Sequence, residues 1–125
     1  VTSADAARLW VDAWARGWRA HDHEPIVARY ADGAGFRSHP FRESEDARAY
    51  VERVLAEEEA EPEVWFGDPI VDGDRAAVEY WAVVRAEGRE QTLAGTTLLR
   101  FDAEGLVVEH RDYWALADGR RERAV

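Results

Sequence analysis

The chain has 125 residues, no cysteine, and 26 acidic against 16 basic residues for a net charge of -10. That length suits one domain around one core. The missing cysteines exclude disulfides, thiolate nucleophiles and iron–sulfur ligation, and the acidic balance argues against nucleic acid and anionic membrane surfaces, which need cationic patches. No run approaches the roughly 20 apolar residues of a membrane span. No signal peptide is visible, and the cytoplasm is the expected compartment.

Thr2 to about Ala20 reads as a helix, capped by Thr2 or Ser3, with Asp5 at its positive end. Ala7, Trp10, Trp14 and Trp18 recur at spacings of three or four and form one apolar face. Three tryptophans on one face need a large surface opposite, most simply a sheet, and each brings an N–H that wants a partner when buried. Core packing is the simpler role for Trp10, whereas Trp14 and Trp18 are candidates to line a ligand site. Asp22 to Tyr30 reads as a second, shorter helix, with Asp22 as its cap, Pro25 in its first turn, and Ile26, Val27 and Tyr30 as its apolar side. Ala31 to Gly35 breaks the pattern, and Gly35 to Phe41 is a short extended piece containing His39, a weaker site candidate.

Ser44 to about Ala60 reads as the third helix, capped by Ser44, with a stripe of Ala47, Tyr50, Val51, Val54 and Leu55. The run Glu57 to Glu61 reads as its solvated end. The period then changes to two. Glu63 to Val71 is a strand broken near Gly67 and Pro69, and Val71 to Asp74 is a turn. Arg75 to Glu87 is a long strand with Ala77, Glu79, Trp81 and Val83 on one face and Val78, Tyr80, Ala82 and Val84 on the other. Glu90 to Phe101 runs back with Leu93, Gly95, Thr97, Leu99 and Phe101 on one side, where Gly95 marks a bend or a crowded surface. Asp102 to Gly105 turns into a last strand, Gly105 to Trp114, whose one face holds Leu106, Val108, His110, Asp112 and Trp114. That face starts as core and ends with an imidazole, a carboxylate and an indole, as in a strand running from an interior into a pocket. The alternative is a structural role, with Asp112 or Glu79 paired to an arginine such as Arg37. Residues 118–125 read as a loose tail of the single domain spanning 1–125.

Three helices followed by a curved antiparallel meander make an α+β domain, and the cone between helices and sheet suits a small apolar or aromatic ligand. The four histidines are scattered, with no spacing that fits a tetrahedral metal site, and no glycine-rich phosphate loop follows a strand, so no metal and no cofactor are expected.

The stretches WVDAWARGW, YADGAGFRSHPF, VDGDRAAVEYW and LLRFDAEGLVVEHRDYW resemble the SnoaL-like branch of the nuclear transport factor 2-like (NTF2-like) superfamily over nearly the whole chain. The resemblance implies a cone-shaped fold, three N-terminal helices packed on a strongly curved, mostly antiparallel sheet, often dimeric through the sheet exterior. It also implies cofactor-independent isomerase, cyclase or lyase chemistry on a small apolar or polyketide-like substrate. The catalytic candidates it points to are Asp112 as general base, His110 as donor or proton shuttle, and Glu79 as orienting group or alternative base. The substrate-pocket candidates are Trp14, Trp18, His39, Trp81, Phe101 and Trp114. Val78, Tyr80, Ala82 and Val84 become the expected homodimer face. RDYW resembles the RDYF segment of epoxide hydrolases, whose aspartate works with an arginine and an aspartate two apart on the Arg75 to Glu87 strand. Glu79 and Trp81 stand there instead, which disfavours epoxide hydrolysis. The alternatives kept beside the enzyme reading are a non-catalytic small-molecule binder and a dimeric structural protein.

Overall fold

The computed structural model describes residues 1–123. Its elements are α1 (Ser3–Ala20), α2 (Glu24–Val27), β1 (Tyr30–Arg37), β2 (Glu45–Asp46), α3 (Ala47–Ala56), β3 (Glu63–Phe66), β4 (Ile70–Asp72), β5 (Arg75–Ala86), β6 (Arg89–Phe101) and β7 (Val107–Asp118). The strand order is β2-β1-β7-β6-β5-β3, with β4 also on β5; β1 runs parallel to β7 and the other pairs are antiparallel. The expected α+β arrangement, helices on one side of a curved sheet, is what forms.

The first helix starts where the sequence places it. Thr2 Oγ1 accepts from the Asp5 N–H at 3.0 Å while Asp5 Oδ2 accepts from the Thr2 N–H at 3.4 Å, a reciprocal capping box. It stops at His21, which takes the left-handed conformation with φ 54°. Gly17 lets α2 come close: a β-carbon there would lie 2.7 Å from Ile26 Cδ1. Trp10 and Trp14 are buried against the sheet, in one cluster with Ile26, Tyr30, Phe36, Val51, Val78 and Leu99. Fully burying each large side chain of this set contributes about 1.5–3 kcal/mol.

Several boundaries differ from the sequence reading. The second helix is a single turn, and Tyr30 opens β1 instead of closing that helix. The third helix starts later, because Asp46, not Ser44, accepts from the Ala49 N–H at 3.0 Å; Glu45 and Asp46 pair instead with Phe36 and Gly35. It also ends at Ala56, before the acidic run. The last strand continues to Asp118, and the residues after it are tied down. The Arg121 N–H donates to Thr92 Oγ1 at 2.9 Å, and Arg120 holds both Glu63 and Glu90. Arg123 lies over the Trp65 ring at 3.7 Å. The tail reading therefore fails up to Arg123, and residues 124–125 lie outside the described residues.

The phase of β5 is the main correction. Ala76, Val78, Tyr80 and Ala82 are buried under the helices, and Glu79 and Trp81 face outward. Both faces of β5 are rich in apolar residues, so alternation alone does not choose between them. The set with the carboxylate goes to solvent, since an unpaired buried charge is costly. The expected dimer face of Val78, Tyr80, Ala82 and Val84 is thus interior. β7 has a similar slip: Phe101 pairs with Val107 but Arg100 with Glu109, so Val108 is an extra, bulged residue. Val107 rather than Leu106 or Val108 fills the core before the bulge, and beyond it the expected phase of His110, Asp112 and Trp114 holds.

Candidate functional site

The concave face of the sheet and the three helices enclose a cavity of about 400 Å³, a size suited to a small organic ligand. Its wall includes Trp10, Trp14, Trp18, Phe36, Tyr50, Phe66, Tyr80, Trp114, Thr97, His110 and Asp112. Of the sequence-derived pocket candidates, Trp14, Trp18 and Trp114 are on this wall. Phe101 is not: it is core, 3% exposed. Trp81 lies on the opposite face of the sheet, where its indole N–H donates to Glu79 Oε2 at 3.2 Å. Glu79 is thereby excluded from the cavity and from any catalytic role in it. His39 packs edge-on against the outer side of Trp114, ring centroids 4.8 Å apart, and does not reach the cavity wall.

His110 and Asp112 do meet. Two residues apart on one face of β7, they join through a His110 Nε2 to Asp112 Oδ1 hydrogen bond of 2.7 Å. The same carboxylate oxygen accepts from the Thr97 hydroxyl at 2.6 Å, because β6 pairs Thr97 directly with Asp112. The other carboxylate oxygen has no bond from the described residues. No arginine pairs with Asp112. Arg37, an arginine that the structural alternative named for Asp112 or Glu79, donates to the Arg42 carbonyl at 2.5 Å. His110 is 2% exposed and the Asp112 side chain 14%.

Behind this pair stands Tyr30. Its hydroxyl accepts from Trp10 Nε1 at 2.9 Å and from Trp14 Nε1 at 3.0 Å, and lies 2.7 Å from His110 Nδ1. Indole nitrogens only donate, so both acceptor sites of the phenol oxygen are taken. Its own hydrogen must therefore go to His110 Nδ1. Nδ1 is then the bare nitrogen and Nε2 carries the proton that Asp112 receives. The order of donation is Trp10 and Trp14 to Tyr30, Tyr30 to His110, His110 to Asp112. Burial raises the Tyr30 pKa far above its usual value, the two indole donors only partly offsetting it, which keeps the phenol protonated. In this arrangement His110 is a donor that orients Asp112.

Packing supports the same geometry. Phe36 stacks on the His110 ring at 3.7 Å and Tyr50 on Phe36 at 4.2 Å. The acidic run also has a different place from that expected. Glu57, Glu58 and Glu59 stand at the cavity mouth, where Glu58 accepts from Trp18 Nε1 at 2.7 Å and Glu59 receives the N–H groups of Glu87 and Gly88.

Tyr30 is the residue that the sequence reading missed. The signal was present: buried Trp10 and Trp14, four apart on one face, needed an acceptor. Among the described residues no group of three His, Cys, Asp or Glu side chains converges as a metal site would require. On β5 the buried inward residues Val78, Tyr80 and Ala82 are neither arginine nor aspartate, and Arg85, which reaches the cavity wall, has Val83 and Glu87 two residues away instead of the aspartate of the epoxide hydrolase pattern.

A family model described as SnoaL-like domain matches residues 11–110. Among solved structures, the epoxide hydrolase/cyclase-like enzyme SalBIII, with a role in pyran ring formation in polyether salinomycin, superposes with TM-score 0.77 at 16% identity, covering 92% of this chain and 96% of that one. An LEH-like epoxide hydrolase of Mycobacterium tuberculosis gives TM-score 0.71 at 16% identity, covering 91% and 84%. RV0760c from Mycobacterium tuberculosis gives 0.78 at 18%, covering 95% and 98%. At such identities the likeness is one of fold, the NTF2-like cone. No curated protein matches the chain.

Proposed function

The chain belongs to the SnoaL-like domain family, and from that premise we propose that it is a cofactor-independent enzyme, an isomerase, cyclase or lyase, in which Asp112 is the general base. Its substrate is a small apolar or polyketide-like molecule seated in the aromatic cavity. The family and its cyclase-like and hydrolase-like structural neighbours make catalysis plausible without specifying a reaction. The observation that carries the reading is the state of Asp112. Its carboxylate sits on the cavity wall, one oxygen held by the Thr97 hydroxyl and His110 Nε2, with no arginine in ion-pair contact among the described residues. The other oxygen is bonded to none of the described residues, which leaves it open to a substrate proton. Epoxide hydrolysis is disfavoured, since β5 has no arginine and aspartate two apart, as that mechanism requires.

The chemistry is direct. Asp112 takes a proton from an activated C–H of the bound molecule. His110 and Thr97 keep the carboxylate oriented, and the aromatic wall shields the reacting atoms from water. Tyr30 holds the His110 tautomer. The second reading, a non-catalytic binder of aromatic molecules, is favoured by the number of tryptophans on the wall. We take the protein to be cytoplasmic and a homodimer; with the corrected phase, the outer face offers Trp81, Val83 and Tyr113 for that contact.

Base-promoted opening of a nitrobenzisoxazole tests the enzyme reading without knowledge of the substrate. The base removes the ring C–H, the N–O bond breaks, and a coloured cyanophenolate is released. The wild type accelerates this reaction and Asp112→Asn does not. Equal rates for the two proteins, with equal binding of the probe, leave the binder reading.

A further inference from the structure

The wall beside Asp112 carries a second set of polar groups. β1 runs parallel to β7 with Phe36 beside His110 and Arg37 beside Arg111, and Ser38, the residue after β1, lines the same cavity as Asp112. Ser38 is 2% exposed. Its hydroxyl oxygen accepts from an Arg42 guanidinium nitrogen at 3.1 Å, and its carbonyl accepts from Trp114 Nε1 at 2.5 Å. The guanidinium carbon lies 5.4 Å from the Trp114 ring centroid, which steadies the planar group against the aromatic face. Ser38, Arg42, Tyr50 and Trp114 all line the cavity.

Two features leave these donors unspent. Arg42 makes no ion pair with a carboxylate among the described residues, so no acidic side chain among them competes for its guanidinium. One of its five N–H groups is used on Ser38. Tyr50 is half-buried, and burial raises its pKa, with the neighbouring Ser38 hydroxyl only partly offsetting the rise. It stays a neutral O–H donor at ordinary pH.

We propose that Arg42 and Tyr50, linked through Ser38, form a carboxylate-binding subsite, and that the ligand of this cavity is a flat apolar or aromatic molecule ending in a carboxylate. The planar guanidinium fork suits a planar two-oxygen anion. The aromatic wall suits the rest of the molecule. The inference rests on the reading of the cavity as a small-molecule site and adds the chemical class of its occupant.

The test compares naphthoate with methyl naphthyl ketone, a neutral molecule of nearly the same shape, by titration calorimetry. Wild type binds naphthoate about tenfold or more tighter than the ketone, as expected for hydrogen bonds to a charged group. Arg42→Gln, which alters an exposed side chain and keeps the wild-type melting temperature, brings naphthoate down to the level of the ketone and leaves the ketone unchanged. Tyr50→Phe weakens naphthoate alone, by a smaller factor. If wild type binds both equally or prefers the ketone, the carboxylate subsite is overturned and the cavity reading stands. If neither binds, both fall. The nitrobenzisoxazole assay on Asp112→Asn probes the catalytic base independently of Arg42.

Discussion

Replacing Tyr30 with Phe keeps the ring and removes one oxygen, and the structure sets the cost. That oxygen makes three hydrogen bonds of 2.9, 3.0 and 2.7 Å, to Trp10, Trp14 and His110. Trp10 and His110 are each 2% exposed, so the N–H of one and the bare Nδ1 of the other find no water in exchange. A buried polar group left without a partner costs about 1–3 kcal/mol. Trp14, at 7% exposed and on the cavity wall, can recover a water, which places its share at the low end. The sum is on the order of 3–7 kcal/mol, against a total stability of about 5–15 kcal/mol for a domain. Urea unfolding followed by tryptophan fluorescence measures it, as a lower midpoint at unchanged slope. Nitrogen NMR of the imidazole supplies the second readout: Nδ1 without hydrogen and Nε2 with it in the wild type, and a tautomer mixture in the variant. A loss under about 1 kcal/mol, or an Nδ1–H in the wild type, would refute the assigned order of donors.

Four more outcomes are expected. Glu79→Gln leaves nitrobenzisoxazole turnover at the wild-type rate, because that carboxylate is on the outer face; a loss of rate would return Glu79 to the site. Thr97→Val removes the hydroxyl that holds Asp112 Oδ1 and lowers the same turnover about tenfold with little change in probe binding, the loss of roughly one charge-assisted hydrogen bond. Gly95→Ala strains the β6 and β7 pair, since a β-carbon would lie 2.7 Å from Trp114 Cβ and closer still to the Tyr113 carbonyl oxygen; it lowers the melting temperature more than Gly73→Ala, which meets no atom within 4 Å and costs only the strain of a side chain at φ 62°. Burial raises the pKa of Tyr30, Tyr50 and Tyr80 in the folded chain. Below a pH of about 10 these phenols are protonated in both states and that stability is fully present; above it the unfolded chain ionises first, so stability falls by about 1.4 kcal/mol per pH unit for each buried phenol. Alkaline titration with tyrosinate absorbance and circular dichroism should show ionisation and unfolding together, and ionisation of all four tyrosines before unfolding would contradict it.

Much of the molecule is legible in the amino-acid sequence alone. The capping box at Thr2 and Asp5, the tryptophan stripe of α1, the turns before β5, β6 and β7, and the alternation that puts His110, Asp112 and Trp114 on one face all follow from local geometry. These features have short range, so period and turn chemistry specify them. The crowding expected at Gly95 was legible for the same reason. What tertiary structure decided is everything that depends on a partner far away in the chain. Alternation defines two faces of β5, but only the helices packed above select Tyr80 over Glu79 and Trp81. A bulge at Val108 moves Val107 into the core, and nothing within the strand announces it. Tyr30 has the apolar spacing of a helix residue, yet it starts a strand and becomes the acceptor for two indoles 16 and 20 residues before it and the donor to an imidazole 80 residues after it. Whether His110 touches Asp112, and in which tautomer, is settled by that distant oxygen. Secondary structure answers to neighbours along the chain, while proton position answers to neighbours in space.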